Sequence, residues 1–74
     1  MKNMRRGLKA RTIILNILEI RASAAAAIAE DKSLSYRVVM HHLRLLENEG
    51  SVSRKGKRPH IWFLTGLGQK RLIR

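Results

Sequence analysis

The 74-residue chain has no cysteine, one proline and three aromatic residues, Tyr36, Trp62 and Phe63. Without cysteine it can form neither disulfides nor thiolate metal sites, so hydrophobic packing must stabilise so small a domain. The core has to be aliphatic, and hydrophobic residues still make up 45% of the sequence. This fraction favours a folded chain, because disordered segments combine high net charge with few apolar residues. The length fits one domain, residues 1–74.

Acidic residues are also scarce. There are 16 Lys and Arg against 5 Asp and Glu, a net charge of +11 with histidine neutral. All acids lie between Glu19 and Glu49, so the start of the chain and everything after Glu49 are purely basic. Two basic segments around a mixed middle indicate two surfaces that face the same polyanion. Residues 1–7 are expected to form a basic arm that either contacts the polyanion or only solubilises the chain.

Long hydrophobic runs are absent as well. The longest, Ala24–Ala29, is far shorter than the ~20 residues of a membrane helix. No hydrophobic signal-peptide segment follows the basic start. We therefore expect a cytoplasmic protein that does not bind membranes.

The first half of the sequence predicts three helices. Apolar residues at helical spacing predict the first over residues 8–20. Ser23 is a candidate N-cap for a short alanine-rich helix over residues 24–31.

The third helix has the clearest boundaries, with Ser35 as its N-cap, an end at about Glu49 and Gly50 as its C′ residue. Its helical period puts an apolar set on one face and a basic set on the other. The apolar set is Val39, Leu43 and Leu46, and the basic set is Arg37, His41 and Arg44.

The pattern changes after Gly50. Residues 51–55 and 60–64 predict two strands joined by a basic turn at residues 56–59. Thr65 is a candidate cap for a last short helix that extends through Leu67 and Leu72 to the end of the sequence. The predicted fold class is mainly α with a small β-hairpin, in the order helix, helix, helix, strand, strand, helix.

A short helix, a brief turn and a longer helix with one basic face form a helix-turn-helix, whose second helix fits the ~12 Å major groove of DNA. Residues 35–52, SYRVVMHHLRLLENEGSV, are similar to the S-x-x-T-V-x-x-H-L-x-x-L-E-x-x-G-x-V pattern of the winged helix-turn-helix DNA-binding proteins. Residues 62–65 with Gly68 resemble the aromatic-x-L-T-x-x-G that closes the wing of that family. The chain looks like the small archaeal regulators of ArsR- and MarR-like type, including those of crenarchaeal viruses and plasmids. Val38 departs from the pattern, where a hydroxyl residue is usual.

This resemblance implies a sequence-specific transcriptional regulator that binds double-stranded DNA. The third helix would enter the major groove, and the hairpin, or wing, would reach the backbone or a minor groove. Arg37 can form two parallel hydrogen bonds with guanine, whereas lysines on a wing tip suit phosphates. The residues expected to contact DNA are Ser35, Tyr36, Arg37, Val38, His41 and Arg44 of the third helix, and Arg54, Lys55, Lys57 and Arg58 of the wing.

Two other functions fit the same charge: a non-specific, chromatin-like DNA-coating protein and an RNA- or ribosome-associated basic module. An enzyme is not expected, because the sequence has no carboxylate pair, metal cluster or phosphate-binding glycine loop. No cofactor or metal is expected either. The adjacent His41 and His42 point about 100° apart on a helix and do not form the i, i+4 pair common in metal sites.

The second strand of the hairpin is apolar on both faces, with Trp62 and Leu64 on one and Ile61 and Phe63 on the other. One face should cover the core, and large exposed apolar patches are rare on monomers. We therefore expect a homodimer built on the first helix through Ile13 and Ile20, with Ile61 and Phe63 as further candidate contacts.

Overall fold

The computed structural model describes residues 6–68, with three helices, three short strands and a helical turn at residues 66–68. The strands form one antiparallel sheet in the order β1-β3-β2. The predicted fold class is confirmed. The elements are α1 (Arg6–Ile20), β1 (Ser23–Ala24), α2 (Ala25–Asp31), α3 (Tyr36–Asn48), β2 (Val52–Lys55) and β3 (Ile61–Leu64).

Both predicted boundaries of α3 are confirmed. The Ser35 side chain accepts hydrogen bonds from the backbone N–H groups of Arg37 and Val38, at 3.1 and 3.3 Å. At the other end Gly50 adopts a φ of +85°, a left-handed conformation that glycine takes without a Cβ penalty. The N–H groups of Gly50 and Ser51 donate to the last turn of α3, the hydrogen-bond pattern of a Schellman motif.

The prediction that Ser23 caps α2 is wrong. Ser23 and Ala24 form β1, paired with Trp62 and Ile61 of β3. The N-cap of α2 is Ala24, which makes no side-chain cap hydrogen bond, and the Ser23 hydroxyl donates to the Arg21 carbonyl at 3.2 Å. The backbone before α2 is extended because it pairs with a strand from the far end of the domain, so a local cap signal is overridden.

The core lies between the three helices and the inner face of the sheet. Its fully buried side chains come from every helix, and Trp62, which is 1% exposed, contributes an aromatic ring. On α3 the three residues predicted to face the core are indeed buried. The largest buried side chains are Ile14, Ile28, Val39, Leu43, Leu46 and Trp62.

Thr65 joins the end of the sheet to the helical turn that follows. Its hydroxyl donates to the Gly50 carbonyl at 2.6 Å and accepts from the Gly68 N–H at 3.0 Å. The predicted cap is confirmed, while the rest of the predicted last helix and residues 1–5 of the N-terminal arm lie outside the described residues. None of the described helices is long and apolar enough to cross a membrane.

Candidate nucleic-acid interface

The outer face of α3 carries a continuous polar ridge. Arg37, His41 and Arg44 are all exposed, as the helical period predicts. Asn48 extends the same stripe by one turn and is also exposed. Asn48 was not among the predicted site residues, although its spacing of four from Arg44 was the available signal. We call these four residues the α3 ridge.

The first turn of α3 is exposed, and its N-cap residue also stabilises the helix. Tyr36 is 57% exposed and Val38 39% exposed, so both are accessible to a partner. The Ser35 hydroxyl oxygen is engaged with the α3 backbone. Ser35 therefore fixes where the ridge begins, because substitution of an N-cap weakens the helix it starts.

The wing is the hairpin of β2 and β3, and its tip is residues 56–59. Gly56 turns the chain with a φ of +84°, and the His60 ring nitrogen Nδ1 lies 2.8 Å from the Gly56 carbonyl oxygen. Lys57 and Arg58 at the tip are exposed. Among the described residues, the ion pairs involve Arg11, Lys32 and Arg54 and not these two tip cations.

A groove of about 310 Å³ separates the wing from α3. Tyr36 and Met40 line it from α3, and Lys57, Arg58 and His60 line it from the wing. The structure therefore brings the start of α3 and the two tip cations to the same groove, beside the α3 ridge. Met40 and His60 were not among the predicted site residues, because their place depends on how the wing packs.

The other two wing cations contact the protein itself. Arg54 Nε lies 3.3 Å from the Glu47 carboxylate, and the Arg54 guanidinium lies 5.4 Å from the centroid of the Trp62 ring. Lys55 Nζ lies 5.7 Å from the centroid of the Phe63 ring. The four wing cations thus divide into two at the open tip and two that lie over aromatic rings of β3.

An ion pair joins α1 to the end of α3. The Arg11 guanidinium donates two hydrogen bonds to Glu49, at 2.7 and 3.0 Å, and this contact raises the pKa of Arg11. Burial lowers the pKa of the neighbouring His42, and the charges of His41 and Arg11 lower it further. The lowered pKa favours the neutral form of His42.

The two adjacent histidines of α3 contact each other. The rings of His41 and His42 meet edge to face with centroids 5.1 Å apart. Across residues 6–68, no three or more His, Asp or Glu side chains are grouped so that they could hold a metal ion.

No family model and no curated protein matches this chain. Solved structures do match. The Zalpha domain of Carassius auratus PKZ, crystallised in complex with Z-DNA, has a TM-score of 0.74 and 25% identity over 80% of this chain and 97% of that domain. A variant of Lactococcus lactis ZitR has a TM-score of 0.75 and 25% identity over 80% of this chain and 43% of its own. The Thermotoga maritima transcriptional regulator Tm0710 has a TM-score of 0.77 and 16% identity over 96% of this chain and 55% of its own.

The chain has the winged-helix fold shared by these structures. It spans about half the length of the two bacterial proteins and nearly all of the Zalpha domain.

Proposed function

We propose that this protein is a sequence-specific transcriptional regulator that binds double-stranded DNA, with α3 in the major groove and the wing on the backbone or in an adjacent minor groove. The observation that carries the proposal is the groove between α3 and the wing. Tyr36 and Met40 line it from α3, and Lys57 and Arg58 line it from the wing. A helix and a cationic hairpin on one side of a domain can contact adjacent grooves of one duplex.

The two parts of this surface suit different contacts. The arginines of the α3 ridge can each donate two parallel hydrogen bonds to a guanine edge in the major groove. Lys57 and Arg58 stand on an exposed tip, where cations neutralise phosphates without reading sequence. The proposed contact surface also includes Ser35, Tyr36, Val38 and Lys55.

The solved structures support this assignment and also supply an alternative. Tm0710 is described as a transcriptional regulator, and the Zalpha domain was crystallised with left-handed Z-DNA. Binding should therefore be tested with both right-handed and left-handed duplexes.

The test is selection of binding sites from random duplexes, followed by competition at fixed salt concentration. The competitors are random right-handed DNA, a left-handed duplex and structured RNA. We expect the selected right-handed site to bind ~10³-fold or more above random DNA. Equal affinity for all DNA would instead identify a coating protein, and stronger binding to the left-handed duplex or to RNA would also overturn the proposal.

Two substitutions separate base reading from phosphate binding. Arg37→Ala should weaken binding to the selected site by about 1–3 kcal/mol and relax its selectivity. Lys57→Ala should weaken all sequences alike and reduce the slope of log K against log salt by about one. Lys32→Ala removes the same charge at an exposed site after α2, outside both grooves, and should change little. Equal effects of Arg37→Ala and Lys57→Ala would contradict this division.

We also propose that the regulator binds DNA as a homodimer through Ile13 and Ile20 of α1, with Ile61 and Phe63 as further contacts. Ile20 is 80% exposed. Beside it, Ile17 and Ile61 line a second groove, of about 430 Å³, together with Arg21 and Asp31. Because this groove carries one charge of each sign, two copies of a chain with net charge +11 can meet there with little repulsion.

A further inference from the structure

We propose that Glu47 and Arg54 form a positioning pair that holds the wing against α3 and so directs Lys57 and Arg58 at the DNA backbone. This inference rests on the proposed DNA binding. It assigns Arg54 to a contact within the protein instead of to a phosphate. It also means that an acidic residue, Glu47, strengthens the binding of a polyanion.

Arg54 bridges the sheet and the helix. In the register of the hairpin it lies opposite Trp62, and its guanidinium lies 5.4 Å from the centroid of that ring. Its Nε lies 3.3 Å from the Glu47 carboxylate. Trp62 is 1% exposed and part of the core. Its ring therefore holds the Arg54 side chain against a rigid part of the domain. A guanidinium over an aromatic face and beside a carboxylate combines two attractive contacts.

Glu47 lies on the side of α3 that faces the wing. It follows Met40 by seven residues, two turns of the helix, so the two side chains lie on the same face. Met40 lines the groove between α3 and the wing, and the tip cations line its other side. The Glu47–Arg54 pair therefore spans from α3 to β2 just before the chain enters the open wing tip.

The carboxylate of Glu47 is unexpected so close to a surface proposed to bind DNA. The chain has only five acids, and an acid beside a DNA-binding surface repels phosphates. Charge alone predicts that removing Glu47 strengthens DNA binding. A positioning role predicts weaker binding, because the released wing no longer presents Lys57 and Arg58 in a fixed place. Whether affinity rises or falls therefore distinguishes a purely electrostatic role of Glu47 from a positioning role.

The experiment measures binding of Glu47→Gln to the selected duplex over a range of salt concentrations. We expect affinity to fall about three- to fivefold, the order of a partly exposed ion pair combined with a cation–π contact. We also expect the slope of log K against log salt to shrink by about one to two, because contacts of Lys57 and Arg58 are lost. Glu30→Gln is the matched control, since Glu30 is exposed at the end of α2, and it should leave affinity unchanged or slightly higher.

A double-mutant cycle tests whether the pair acts through the tip. Lys57→Ala should weaken binding clearly in the parent protein and much less in Glu47→Gln, because coupled residues are not additive. Additive effects, or tighter binding by Glu47→Gln, would overturn the proposal.

Trp62 supplies a readout without DNA, because it is the only tryptophan in the sequence. Its fluorescence should change in Glu47→Gln and not in Glu30→Gln, and an unchanged emission would contradict the pairing. Failure of the parent protein to bind any duplex would instead refute the proposed function, with the Trp62 result still reporting whether the pair forms.

Discussion

Gly66 and Gly68, near the end of the described chain, differ in the space that surrounds them. A Cβ at Gly68 would overlap the Ser51 carbonyl, whereas a Cβ at Gly66 would have nothing within 4 Å. Neither glycine has a left-handed φ, so the difference is one of space alone. Close approach of the helical turn to the end of α3 therefore depends on the missing side chain at Gly68.

We predict that Gly68→Ala destabilises the domain by about 1–3 kcal/mol, the usual effect of forcing an extra carbon into a packed site. In a domain of this size each kcal/mol lowers Tm by roughly 4–8 °C. Thermal unfolding followed by circular dichroism measures the change. Gly66→Ala is the matched control and should unfold within a few degrees of the parent, and equal Tm values for both variants would refute the packing argument.

His42 makes stability depend on pH. Its folded-state pKa is lowered, first by burial and then by the charges of His41 and Arg11. In the unfolded chain it titrates near the usual 6.5, so between the two values the unfolded state binds more protons. Stability is therefore retained above about pH 6.5 and falls as the pH decreases from there through the folded-state pKa.

The prediction is that denaturant unfolding between pH 7.5 and 5 shows stability falling on the acid side, and that His42→Gln flattens this fall. The glutamine cannot titrate, so it removes the proton uptake of the unfolded state at this position. An identical pH profile for His42→Gln and the parent would exclude His42 as its source.

At the scale of the elements, α2 and α3 end in the same way. After α2 the N–H groups of Ser33 and Leu34 donate to Glu30 and Ala29, the Schellman pattern seen after α3. Gly50 occupies the left-handed position after α3, whereas after α2 that position holds Ser33 with a φ of +55°. A residue with a Cβ is strained in this conformation.

Ser33→Gly should therefore stabilise the domain by about 0.5 kcal/mol, since relief of left-handed strain exceeds the added flexibility of the unfolded chain. A rise in Tm of roughly 2–4 °C is expected in thermal unfolding. Ser35→Gly makes the same replacement at the N-cap of α3 and should lower stability by a few tenths of a kcal/mol. A lower Tm for Ser33→Gly would show that strain at this turn is negligible.

At the scale of the whole molecule, charge decides how two copies can meet. The α3 ridge and the wing tip are basic and would repel a second copy. The exposed Ile20 and the groove of Ile17, Arg21 and Asp31 combine apolar surface with balanced charge. The proposed dimer would leave α3 of each subunit facing DNA, with half-sites about one helical turn, ~34 Å, apart.

Ile20→Glu should shift the protein to a monomer in sedimentation velocity, because a buried carboxylate without a partner opposes association. Affinity for a duplex with two half-sites should fall, while affinity for a single half-site stays near the parent value. Thr12→Glu adds the same charge at another exposed position of α1 and should leave the dimer intact. A monomeric parent protein at physiological salt would refute the dimer.

Local signals were sufficient for α3 and for three of the four residues of its ridge. Ser35 and Gly50 mark its ends, and the helical period separates Val39, Leu43 and Leu46 from Arg37 and Arg44. These properties depend on neighbours along the chain, so the sequence predicts them directly. The hairpin was predicted for the same reason, from a basic turn between two short strands.

The sequence by itself determined the helical order, the two faces of α3 and the concentration of positive charge, because each follows from residues a few positions apart. Only the tertiary structure decided that Ser23 pairs with Trp62 instead of capping α2, and that Arg54 meets Glu47 while Lys57 and Arg58 remain at the open groove. Those outcomes depend on strand pairing and an ion pair between segments that are far apart in the sequence, and such contacts form only when the sheet packs onto the helices.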